Sequence, residues 1–211
     1  MNKNMYSLIL SEDVVAEVDR LAYDANTSRS NMVNRILAEY VSMQTPETAA
    51  RDIFAEIEDT LLSGRGFQRM LGGDLTMNLR TALTYKYNPT VRYSIDLSGV
   101  GDDLGELRVS FRTQNSELSM YMTYFFKLWQ RIEKYCYGRE IKSSFSNGRF
   151  TRVLRRPKDS EEKIGEAISC YITCFDHSLK TFFDELNRGV PGELASNKVE
   201  HIYRAMNTSR I

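Results

Sequence analysis

From Met5 the chain alternates: Tyr6, Leu8 and Leu10 fall on one side of an extended segment and Met5, Ser7 and Ile9 on the other, since strand side chains alternate with period two. A lone strand leaves its backbone groups unpaired, so the pattern predicts a strand that pairs with the same segment of a second chain. After Leu10 the period changes. Val14, Val18, Leu21 and Ala22 make one stripe of a helix opened by Ser11, with Glu12 and Asp13 in its first turn, where the helix dipole favours negative charge. Asn26 marks a turn, being tolerant of left-handed backbone. Ser28 then caps a second helix whose apolar face is Met32, Val33, Ile36, Leu37, Tyr40 and Val41.

A new helix starts at Thr45-Pro46-Glu47, an N-cap followed by proline at the first helical position, and its face is Ala50, Ile53, Phe54, Ile57 and Leu61. The alternation Leu75, Met77, Leu79, Thr81, Leu83, Tyr85, Tyr87 predicts a long half-buried strand, followed by strands through Val91 to Leu97 and Leu107 to Phe111, an antiparallel meander with one wet face. Asn115 caps a helix carrying Leu118, Tyr121, Met122, Phe125, Leu128, Trp129, Ile132 and Cys136 on one side, ending before Gly138. Asn147-Gly148 predicts a type I′ hairpin that pairs Phe145 with Phe150 and Ile141 with Leu154. After Pro157, Asp159 and Glu162 form a capping box that opens a long helix with Ile164, Ile168, Phe175, Leu179, Phe182 and Leu186 in line. A final helix contains Val199, Ile202, Tyr203 and Met206. The expected class is α+β, with residues 1–44 as one module and residues 45–211 as a two-layer domain of meander plus hairpin packed on helices.

In the first module, Leu10-Ser11-Glu12, Asp19-Arg20-Leu21-Ala22 and Ser28-Arg29-Ser30 resemble the ribbon-helix-helix DNA-binding proteins of the Arc, MetJ and CopG type over about the first 43 residues. The resemblance implies a β-α-α intertwined homodimer whose ribbon enters the major groove. It places Met5, Ser7 and Ile9 against base edges. Backbone amides at Ser28 to Ser30, helped by Arg29, would hold a phosphate, and Lys3 would add another phosphate contact. One departure is plain: between Met5 and Ile9 only Ser7 offers a hydrogen-bonding side chain, leaving apolar contact with thymine methyls for the other two. The element order of residues 46–188 is similar to the secretion-chaperone-like fold, by order alone, and fold analogy does not give function.

Composition narrows this further. With 42% hydrophobic and 11% aromatic residues, 211 residues suffice for a sizeable core. No basic start precedes an apolar run, and no stretch of ~18 apolar residues occurs, so neither signal peptide nor membrane span is expected. Three cysteines suit a reducing compartment, and the expectation is a cytoplasmic protein. Lys plus Arg and Asp plus Glu both total 28, so no global basic excess exists. Residues 1–44 hold Lys3, Arg20, Arg29 and Arg35 against Glu12, Asp13, Glu17, Asp19, Asp24 and Glu39, a net charge of −2. Long-range attraction to DNA would therefore be small.

Catalytic material is sparse. The two histidines, His177 and His201, lie in no recognisable motif, and Gly64-Arg65-Gly66 lacks the strand context and third glycine of a phosphate loop. No cofactor and no enzymatic activity are expected. Cys170, Cys174 and His177 share a helix face opposite the Ile168, Phe175, Leu179 stripe. Either the cysteines pack against another helix or the dimer partner, or the three residues offer ligands to a soft metal. Arg80, Lys86, Arg92, Arg108 and Arg112 share the outward sheet face, and Arg149, Arg152, Arg155, Arg156 and Lys158 form a second basic group. Each is either solvated or a contact to DNA backbone or an acidic protein.

The expected function is a homodimeric, sequence-specific DNA-binding regulator of transcription or of plasmid or mobile-element maintenance. Its partners would be double-stranded DNA and a second copy, with higher oligomers on DNA and a protein partner for the C-terminal domain also envisaged. The alternative is an antitoxin-like or chaperone-like interaction protein whose first module only dimerises.

Overall fold

The computed structural model describes residues 5–64, 66–86, 88–137, 141–156 and 163–205. Among these residues six helices and a six-stranded antiparallel sheet make a mixed α+β structure: α1 (Glu12–Asp24), α2 (Arg29–Tyr40), α3 (Pro46–Leu62), β1 (Gln68–Gly73), β2 (Thr76–Ala82), β3 (Thr90–Asp96), β4 (Asp103–Phe111), α4 (Ser116–Tyr137), β5 (Ser143–Ser146), β6 (Arg149–Arg155), α5 (Ile164–Asn187) and α6 (Gly192–Ala205). Lys3, Tyr87, Gly138, the Pro157 to Glu162 helix opening and Met206 lie outside the described residues.

The strands lie in the order β1-β2-β3-β4-β6-β5, so the hairpin joins the meander beside β4. Leu79, Tyr93, Val109 and Phe150 stand opposite one another in succession across four strands. This line carries the buried face. The Asn147-Gly148 turn has φ of 50° and 68°, as a type I′ turn requires, and sets Phe145 opposite Phe150 as expected. Ile141 and Leu154 do not pair, because the β5 ladder begins at Ser143 opposite Arg152.

Two strand expectations need correction. The meander has four strands, and the sequence carries no sign of β1 because Gln68 to Gly73 has no apolar alternation and is almost wholly exposed. Its ladder with β2 is what makes it a strand. The strand expected from Leu75 to Tyr87 stops at Ala82. Beyond it Leu83 donates to the Pro89 carbonyl and Tyr85 to that of Leu83, so inward burial continues on backbone that has left the ladder.

Helices α3 to α6 contribute to one core with the sheet's dry face. Its centre is aromatic, with the Phe175 ring centroid 4.8 Å from Trp129, 5.4 Å from Phe150 and 5.5 Å from Phe125. The side-chain caps expected from the sequence form at three helices, with Ser28 capping α2, Thr45 and Thr48 closing a capping box on α3, and Asn115 Oδ1 accepting from the Leu118 amide, whereas Ser11 stands at the start of α1 without a side-chain cap bond. At α5 the capping comes from elsewhere in the chain. Glu56 of α3 accepts from the Gly165 amide at 3.0 Å, and a Cβ at Gly165 would stand 2.5 Å from the Glu56 Cβ and 2.8 Å from the Ile53 carbonyl oxygen. Only glycine lets α3 and α5 approach so closely.

The N-terminal unit has a small core of its own. Val18, Ala22 and Met32 form its buried cluster, with Leu21 and Val33 packed against them. The strand expected over residues 5–10 is absent: the chain runs helix-first, and Met5, Tyr6, Leu8, Ile9 and Leu10 are all exposed. A single chain supplies no neighbour to that segment's backbone donors and acceptors, so no ladder defines it.

Candidate nucleic-acid interface

The expected base-contacting residues Met5, Ser7 and Ile9 lie in the exposed extended segment, and Tyr6 and Leu8 on the other side of the alternation are exposed as well, at 79% and 61%. Directly after Ser11, α1 begins with its two acids, Glu12 and Asp13. The turn into α2 passes through Asn26 at φ 50°. Ser28 adopts extended backbone and its hydroxyl accepts from the Asn31 amide at 3.3 Å, which caps the helix and leaves Arg29 and Ser30 in its first turn.

Arg29 is already engaged. Its Nε donates to Asp19 Oδ1 at 2.6 Å and a terminal nitrogen donates to Oδ2 at 2.5 Å, a two-pronged pair between α2 and α1. The hydrogen bond from Arg29 holds the Asp19 carboxyl below its ordinary pKa and Arg29 above its own. Arg20 is likewise held by Glu17 and Asp24. Arg35 has no ion pair among the described residues, so most of the unit's positive charge is neutralised locally.

The start of α2 also meets a carboxylate. Asp74, in the turn between β1 and β2, accepts from Thr27 Oγ1 at 2.8 Å and from Asn31 Nδ2 at 3.2 Å through one oxygen. These residues flank the capped first turn, where backbone amides point outward and the dipole attracts anions. Nothing in the sequence singled out Asp74; the contact joins positions 43 and 47 residues apart. Around it α2, α3 and the β1–β2 turn border a cleft of about 750 Å³, lined by Asn31, Arg35, Thr48, Arg51, Arg69 and Asp74 among others. Arg69 is paired with Glu58 across it.

The remaining candidates fall apart spatially. Cys174 is fully buried, Cys170 half-buried and His177 exposed, so α5 is covered on more than the predicted stripe. Burial pushes the Cys174 thiol up to about 12, far from the thiolate a metal needs. Among the described residues no group of three His, Cys, Asp or Glu is placed to hold a metal ion.

The basic group on β6 also needs correction, because Arg152 is buried and faces the core. Its Nε lies 3.0 Å from Glu133 Oε1, and its guanidinium stacks 4.1 Å from the Tyr171 ring centroid. Tyr171 donates to the same Glu133 oxygen at 2.8 Å and accepts from the Trp129 indole at 2.8 Å. Burial outweighs these partners and holds the Glu133 carboxyl above its ordinary pKa. The hairpin register already contained this answer, since Phe150 and Leu154 carry position 152 inward with them. Lys158 lies outside the described residues, and Arg149, Arg155 and Arg156 remain at the surface.

No helix among the described residues is long and apolar enough to cross a membrane. No protein-family model, no curated protein and no solved structure matches the chain.

Proposed function

We propose that this protein is a homodimeric DNA-binding regulator in which residues 5–10 of two copies pair as an antiparallel ribbon and enter the major groove. The observation that carries this reading is the exposed alternating segment attached to a helix pair with a three-residue core. Alternation without a partner strand, beside exposed Leu37, Tyr40 and Val41, fits a unit completed by a second copy. In this reading Met5, Ser7 and Ile9 read base edges and the Ser28 to Ser30 turn holds phosphate. Asp74 is then a competitor for the same helix start. DNA engages when the β1–β2 turn releases Thr27 and Asn31.

Selection of genomic fragments followed by sequencing, at two salt concentrations, tests the reading. An enriched site whose recovery is lost in Ser7→Asp is the expected result. An intact dimer that enriches nothing overturns it.

A second reading rests on the Arg29–Asp19 pair and the apolar Met5 and Ile9: the unit only dimerises and the C-terminal domain binds another protein. Co-purification of a stoichiometric protein, unaffected by Arg29→Ala, would select that reading.

A further inference from the structure

We propose that the uncovered face of the six-stranded sheet is a second DNA surface, which grips the phosphate backbone of a duplex without reading its sequence. This deepens the DNA-binding reading and rests on it for the choice of partner. The helices pack on the opposite face, so one full side of the sheet meets solvent. One row across it runs Arg80, Arg92, Ser110, Arg149 and Ser146, each directly opposite the next. With strands ~4.8 Å apart, the three arginines span about 14 Å, and exposed Arg112 follows directly after the end of β4.

The charge arrangement points to the partner. Like charges placed directly opposite destabilise a sheet, yet Arg80 faces Arg92 with no acid to offset them. The Nε of Arg80 donates to neutral Gln68, and Arg92, Arg112 and Arg149 have no acidic partner among the described residues. The acids sit at the other end, where Asp96 and Glu106 both pair with Arg108. A chain with no net charge has thus concentrated unpaired arginines at one end of an exposed face. A protein partner would want apolar anchors at the centre of such a surface. This row offers arginine and hydroxyls instead, the donors that contact phosphate and sugar.

The test uses the full chain carrying Arg80→Glu, Arg92→Glu and Arg149→Glu together, all at exposed positions. Affinity for random-sequence duplex and for any selected site is measured across salt concentrations. The expected result is a loss shared by all sequences, with the slope of log affinity against log salt shallower by about 2.7, roughly 0.9 for each lost phosphate contact. Circular dichroism and melting matching the parent establish that the fold is kept. An unchanged slope overturns the proposal, as does binding of polyglutamate by the parent protein without binding of duplex. Ser7→Asp separates the two readings: it removes sequence preference through the ribbon and leaves the sheet's salt slope in place. Should no preference exist at all, a slope that still depends on the three arginines sustains the sheet surface alone.

Discussion

The two-helix unit over residues 12–40 and the body from Thr45 onward hold themselves together by different means. The body encloses rings, a covered sheet face and a buried ion pair within one chain. The unit gathers three side chains into a buried cluster and leaves Leu37 and Tyr40 in solvent, where Leu8 and Val41 on its flanks also lie. A core of that size does not offset the chain entropy of two helices. The body therefore carries its own stability, whereas the cluster inside the unit is too small to do the same for two helices.

The largest effect expected on this contrast is inside the body. Glu133→Leu leaves a guanidinium buried with no counter-charge and no means of losing its proton, at a cost of about 3–5 kcal/mol in denaturant unfolding followed by circular dichroism. Arg152→Met costs less, since the carboxyl left behind can take up a proton. The sign with pH follows from the raised Glu133 pKa. The folded state binds that proton more tightly than the unfolded state, so the contribution is complete below the unfolded carboxyl's pKa. It is lost as pH rises through the folded value. Arg152→Met should thus be relatively more destabilising at neutral than at mildly acidic pH. Equal costs for the two variants at every pH would sink this account of the pair.

Next in size is the unit's dependence on a partner. Amide exchange in α1 and α2 should slow as protein concentration rises, whereas α5 amides stay protected throughout. Leu8→Asp should abolish that concentration dependence without lowering the body's unfolding midpoint. If α1 and α2 are as protected as α5 in dilute solution, the contrast between the regions is gone.

The smallest effect is expected at the contact joining them. Asp74→Ala removes two exposed hydrogen bonds, together worth about 1 kcal/mol, and should tighten DNA binding about fivefold. Weaker binding in that variant would mean that Asp74 supports the helix start instead of competing for it.

Legibility in the sequence divides along the same line. Elements whose pattern is local were readable: the α3 and α4 caps, the Asn147-Gly148 turn with its Phe145 to Phe150 register, and the inward faces of β2, β3 and β4. What escaped depends on residues far apart. β1 has no alternation of its own, Gly165 matters only because α3 crosses it, and Asp74 reaches α2 from a distant turn. The first strand is the reverse case, with a clear local pattern that one chain cannot satisfy. Arg152 departs from the expected surface position for a different reason: the inward alternation of Phe150 and Leu154 outweighs the outward preference of a charge.

The chain's one tryptophan, Trp129, is fully buried in the aromatic centre and hydrogen-bonded to Tyr171. Its fluorescence is consequently an optical reporter of the body alone. Dissociation of a dimer, melting of α1 and α2, or docking of DNA on residues 5–10 would leave the emission unchanged while far-ultraviolet ellipticity moved. A mismatch between these two signals is then a direct measure of what happens at the N-terminal end, obtained without attaching a label.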